Sequence, residues 1–336
     1  MKKYILPLLA LMIMSSCSGF LDEQPKGNIT TESYFKTETH ALSATNAIYD
    51  YLIAGYSPGG LWDNNFGGVF FNYYWVLQDV FSDNAHSHMT ATEYQSIENF
   101  QIDPYNEPLE YLWRDFYQVI KTCNVVIDKV PDINMNTTLR DNLVAEARFF
   151  RAYMYFDLMR MFGEVPLRTH DMTGAEDELL PRAPKDEIYQ VIFDDLDYAE
   201  QHLVDPSRQL DGMPKSISAT ALKARVFNTY AAENRSNEYW QKAVDCAQKV
   251  IAVCPMLASF ADLFKIENKF NSEIAWAANF SATLSEGWKG GQFLVRLLPS
   301  LDTSKGGPNN AQGWESATEN LWEAYNMTDS RRDITL

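Results

Sequence analysis

Glu146-Ala147-Arg148-Phe149-Phe150-Arg151-Ala152-Tyr153-Met154-Tyr155-Phe156-Asp157-Leu158 is the stretch that decides the fold. Leu143, Ala147, Phe150, Met154, Leu158 and Met161 form one stripe at steps of three and four, the helical period. Phe149, Tyr153, Tyr155 and Phe156 make the other faces apolar as well. A helix apolar nearly all round is buried between neighbours. The spacing therefore predicts a buried helix from about Leu139 to Phe162, capped by Gly163 and kept from resuming by Pro166. Glu146, Arg148 and Arg151 read as groups that satisfy one another and loop carbonyls inside it.

The neighbours have the same period. Upstream, Asn106 to Val130 carries Leu109, Leu112, Phe116, Val119, Ile120 and Val126, and Pro131 stops it. Downstream, Asp186 to Leu203 has Ile188, Ile192, Leu196 and Ala199 in line. Ser218 is the expected cap of the next helix and Asn237 of the one after. Ala219, Ala221, Ala224, Ala231, Ala243 and Ala247 let these helices approach closely. The expected fold is mainly α: tetratricopeptide-like antiparallel helix pairs forming a scaffold, with long aromatic-rich loops and a few short strands. The strict repeat consensus is absent. Trp113, Trp240 and Trp322 sit at helical spacing and read as core. The flanks differ, because Tyr56 to Phe81 is rich in Gly, Asn and aromatics, and Glu273 to Phe280 reads as a strand.

The chain has 336 residues, 46% of them apolar and 22% charged, which suffices for a large core. Its net charge of −17 argues against a basic nucleic-acid-binding surface. Lys2 and Lys3 precede an apolar run from Ile5 to Met14. That run is too short for a spanning helix, which needs ~20 residues, and reads as a signal peptide over residues 1–16. Met14-Ser15-Ser16-Cys17 resembles a bacterial lipobox, with Cys17 the lipidated residue. With Cys17 set aside, Cys123, Cys246 and Cys254 are an odd number and make no full disulfide framework.

The start Cys17-Ser18-Gly19-Phe20-Leu21-Asp22, Pro25 and Tyr34-Phe35 resembles the entry segment of the SusD/RagB family of outer-membrane nutrient-binding lipoproteins from Bacteroidetes. The helix quoted above, ending Gly163-Glu164-Val165-Pro166-Leu167, is the strongest match. Asp195-Leu196, Ala221-Leu222-Lys223-Ala224-Arg225-Val226, Phe264 and Glu273-Ile274 also fit. Asp329 to Thr335 resembles a segment followed in that family by a long further stretch, so the resemblance implies a C-terminally truncated member. It implies a lipidated tether over 17–36, a helical scaffold over 37–254 and a loop-rich, partly stranded region over 255–336. It further implies a non-catalytic, lipid-anchored protein at the cell surface, on the outer membrane. Such a protein captures a glycan or other oligomeric nutrient and delivers it to a SusC-like TonB-dependent transporter. No cofactor, metal or nucleic-acid partner is expected, and the membrane is met only through the lipid.

Glycan binding has its own physical needs. Aromatic planes stack on sugar C–H faces, and polar side chains bond the hydroxyls. The candidate aromatics are Trp62, Tyr74, Trp75, Tyr94, Trp288 and Trp314, expected in loops outside the helix pairs, and the polar partners are Asp83, Asn84 and Gln292. Core packing competes for each aromatic.

The catalytic patterns in the sequence are incomplete. Gly55-Tyr56-Ser57-Pro58-Gly59 fits a nucleophile elbow, but Pro58 lacks the N–H that an oxyanion hole needs. Ser33-Tyr34-Phe35-Lys36 with Ser82-Asp83-Asn84 lacks its third element. His86-Ser87-His88 places two imidazoles on one face of a strand without a third ligand, and reads as a surface loop. Asp194-Asp195 reads as part of a solvated helix face. Two other functions stay open: a tetratricopeptide-type scaffold that binds protein, and a surface glycoside hydrolase, for which no carboxylate pair stands out.

Overall fold

A computed structural model of the chain describes residues 34–53, 68–71, 73–172, 179–280, 297 and 313–335. The chain divides into two compact units, Met1–Lys36 and Thr37–Leu336. In the first, the described residues are Tyr34 to Lys36, where the Tyr34 and Phe35 rings meet edge-on at 5.2 Å. The signal peptide and Cys17 lie outside the described residues.

The second unit is mostly helical. Helix α1 spans Glu38–Ile53 and buries Ala41, Thr45, Ile48 and Leu52 along one stripe. Short α2 (Tyr73–Asp79), strand β1 (Ala85–Ser87) and short α3 (Thr92–Glu98) follow. Helix α4 spans Glu107–Lys129, opened by the Asn106 side chain accepting from the Leu109 amide and closed before Pro131. Helix α5, Thr137–Phe162, buries residues on every face, as its composition requires. Gly163 ends it at φ +73°, a region open to glycine. Helices α6 (Lys185–His202), α7 (Ser216–Asn234) and α8 (Asn237–Val253) complete the stack. Helix α5 lies between α4 and α6, α7 packs on α6, α8 packs on α7, and α1 lies across α4 and α5. Strand β2 (Glu315–Ala317), α9 (Glu319–Ala324) and α10 (Arg332–Thr335) come last. Among the described residues no helix is long and apolar enough to cross a membrane.

Glu146, Arg148 and Arg151 of α5 find their charged partners far along the chain, not in one another. Glu146, fully buried, receives Arg208 in two bonds of 2.7 Å, the Tyr49 hydroxyl at 2.6 Å and the Asn142 amide at 2.9 Å. Arg151 grips Asp195 at 2.7 and 2.8 Å and donates to Asn124 and to the Thr169 carbonyl. Arg148 stands 3.6 Å from Asp195. Asp195 is thus an interior anion, 1% exposed, and not part of a solvated face, whereas Asp194 is exposed.

Other expectations are corrected. Ser218 lies within the first turn of α7, where its hydroxyl accepts from the Lys215 amide and donates to the Ala275 carbonyl. Ser236, not Asn237, is the residue before α8. Trp240 and Trp322 are 40% and 44% exposed and belong to no core, and the Trp322 ring carries the Arg332 guanidinium at 4.5 Å. Residues 273–280 form no strand. Trp276 docks there instead, among Phe70, Phe149, Phe150 and Tyr153, and donates to the Gly212 carbonyl. Cys123 and Cys246 are buried and, with Cys254, free.

Candidate ligand-binding face

The two short strands bring distant segments together. They pair antiparallel, with Ala85 opposite Ala317, His86 opposite Ser316 and Ser87 opposite Glu315. The ladder extends at both ends. The His88 amide donates to the Trp314 carbonyl at 2.8 Å, and the Thr318 amide donates to the Asn84 carbonyl at 3.0 Å. The Thr318 hydroxyl donates to the Asp83 carbonyl at 2.8 Å. Trp314 therefore stands at one end of a small sheet and Asp83-Asn84 at the other, with the Asp83 and Asn84 side chains exposed.

Trp314 is half-buried against two other candidate aromatics. Its ring lies 6.1 Å from Trp75, tilted 33°, and 5.9 Å from Tyr94. Trp75 is 4% exposed and Tyr94 7%. They belong to a core with Val76, Val80 and Ile97 that backs Trp314. Tyr74 turns the other way. Its hydroxyl donates to Asp157 at 2.7 Å and its ring meets Phe70 edge-on at 5.0 Å, tying α2 to α5. Burial raises the Asp157 carboxyl above its ordinary range, against the Tyr74 bond and the Arg160 and Arg225 charges. Asp115 likewise holds the Gly68 amide at 3.1 Å, and burial pushes its carboxyl up to about 6. Tyr74 and Trp75 lie on α2 and Tyr94 on α3, not in loops, because Trp75 and Val76 of α2 and Tyr94 and Ile97 of α3 bury one side of each short helix.

The histidines sit on and after β1, not in a free loop. Their rings meet edge-on at 4.8 Å, with His86 on Glu98 at 2.5 Å and His88 on Ser316 at 2.9 Å. Among the described residues no group of three or more His, Cys, Asp or Glu side chains is placed to hold a metal.

No sequence motif marks Glu315. Its carboxyl is half-buried beside Trp314, and one oxygen has no hydrogen-bond partner among the described residues. Burial, and then the charge of Asp79, push it up to about 7. Its strand is three residues long, too short for an alternating pattern to announce it. Trp62, Trp288 and Gln292 lie outside the described residues, as does Gly55–Gly59.

Known proteins match both sequence and fold. The SusD-like family profile, described as starch-binding associating with outer membrane, matches residues 20–227. A SusD-like protein of Formosa agariphila is 30% identical over 233 residues, which is 68% of this chain and 42% of that protein. The chain spans about half the length of the curated relatives it matches. Among solved structures, a laminarin-binding SusD-like protein aligns with TM-score 0.66 and 24% identity over 86% of this chain and 64% of that one. Surface glycan-binding protein A from Bacteroides thetaiotaomicron, in complex with laminarihexaose, aligns with TM-score 0.71 and 18% identity over 89% and 63%. The structural likenesses carry the helix-pair architecture, the profile match covers more than half of the sequence, and the chain belongs to the SusD-like family.

Proposed function

We propose that the protein is a non-catalytic glycan-capture protein of the outer-membrane surface. In this reading Cys17 carries the lipid anchor, and a SusC-like TonB-dependent transporter receives the ligand. Trp314 offers the stacking ring, Asp83 and Asn84 the hydroxyl partners, and Trp75 and Tyr94 the packed support beneath, while Tyr74 ties α2 to α5. Trp62, Trp288 and Gln292 are proposed to complete the face. One observation carries the reading within a SusD-like chain: the strand pair brings Trp314 onto the same small sheet as Asp83 and Asn84, across more than two hundred residues of sequence. Relatives described as starch-binding and laminarin-binding support the ligand class.

Native electrophoresis through gels containing laminarin, starch, xylan and pectin tests this, with reducing ends assayed in each lane. Retardation by one polysaccharide without new reducing ends is expected. Cleavage would favour a hydrolase, for which Glu315 beside Asp79 is the carboxylate pair to mutate. Retardation in no lane would favour a protein-binding scaffold, a reading supported by the open apolar stripe of Trp240, Val244 and Ile251 on α8.

A further inference from the structure

Beside the candidate face lies a groove of about 490 Å³, within the usual range of ligand pockets. Leu77 and Gln78 of α2, Phe81, Ile102, Leu109 of α4 and Arg160 to Phe162 of α5 line it. Leu77 and Ile102 pack on the same Trp75–Tyr94 core that backs Trp314, so the groove and the face share one support. The turn 80–84 joins them: Phe81 lines the groove, and Asp83 and Asn84 follow it by two and three residues.

Two phenylalanines mark this turn. Phe81 is 44% exposed and Phe100 60%, with their rings 4.8 Å apart at 50°. Phe100 has φ +57°, a left-handed conformation that a bulky side chain rarely takes. It occupies the turn after α3, where its amide donates to Ile97 and the next amide to Ser96, a position that glycine commonly fills. The sequence thus places a solvated ring on a strained backbone beside an open groove.

The polar groups are sparse. Gln78 is exposed, and its amide can donate and accept. Arg160 donates to Asp157 at 3.1 Å and lies over the Phe156 ring. Apolar walls, an aromatic shelf, one amide and one guanidinium already bonded to a carboxyl suit the C–H faces and hydroxyls of an uncharged sugar. We propose that the glycan path runs from Trp314 over the turn 80–84, where Phe81 and, at its rim, Phe100 stack, into this groove, where Gln78 and Arg160 bond further sugar units of one elongated, neutral chain. The inference rests on the glycan-binding reading and extends it to ligand length and charge.

Calorimetric titration with oligosaccharide ladders from laminarin, starch, xylan and pectin tests it, on the wild type, Phe81→Ala, Phe100→Gly and Trp314→Ala. Phe100→Gly removes the ring while relieving the backbone, so misfolding does not explain a loss. The two phenylalanine variants are expected to bind long neutral oligosaccharides about fivefold or more weakly and short ones as the wild type does. Trp314→Ala is expected to weaken binding at every length. If only Trp314→Ala weakens binding, the groove is no subsite and the glycan face stands. If Trp314→Ala is without effect, or no ladder binds the wild type, the reading and the path fall together.

Discussion

At the scale of single residues, the charged groups of α5 make two tight pairs, Glu146 with Arg208 and Arg151 with Asp195. Their helix was legible because an apolar period surrounds them. Their partners were not, since they lie 62 and 44 positions away and only the folded stack brings them near. Glu315 is the residue where charge and ligand face meet. Its carboxyl is pushed up to about 7 when folded, against an ordinary value of about 4.3 in an unfolded chain. Between those values the folded protein keeps a proton that the unfolded chain has lost. Stability from this group is therefore full below the unfolded value and is lost as pH rises through about 7. Glu315→Gln, which mimics the protonated form, is expected to melt at a higher temperature than the wild type at pH 8 and at the same temperature at pH 4. Equal melting at both pH values would mean that the folded carboxyl titrates normally.

Among elements, helices α4, α5 and α6 were legible to within two residues because their burial follows one period over several turns. The short ones were not. Helix α2 and helix α3 each have seven residues, and β1 and β2 three each, less than a pattern needs to declare itself. The candidate site is assembled from those short pieces. The sequence therefore offered Trp75, Tyr94, Asp83, Asn84 and Trp314 as types suited to sugar, without showing that two of the rings would be consumed as support. Punctuation between elements was plainer. Gly163 ends α5 at φ +73°, and a Cβ there would meet nothing within 4 Å. The cost of Gly163→Ala is then backbone strain alone, about 1–3 kcal/mol. Denaturant unfolding is expected to show that loss with an unchanged slope. A loss well above that range would mean that the Pro166–Arg182 bridge, which follows the turn, had also come apart.

For the whole molecule, charge separates the possible ligands. The chain carries −17, and the described carboxylates of Asp79, Asp83, Glu98 and Glu315 lie on or beside the candidate face. An anionic polysaccharide would approach against this field, while a neutral one would not feel it. Stacking on Trp314 and hydrogen bonds to hydroxyls involve no net charge on the ligand, so they release no counterions when they form. Exposed charges are screened beyond about 10 Å at 0.1 M salt and beyond about 3 Å at 1 M. Affinity for a neutral glycan is therefore expected to change less than about twofold between those salt concentrations. Uronate-containing or sulfated chains should bind weakly at low salt and gain as salt rises. A cationic ligand or a basic protein partner would do the reverse, losing affinity steeply with salt. Titration of pectin and laminarin oligosaccharides at the two salt concentrations separates these cases. A steep loss with laminarin would mean that carboxylates, not aromatic rings, govern the face, and the assignment of Trp314 as its centre would fail.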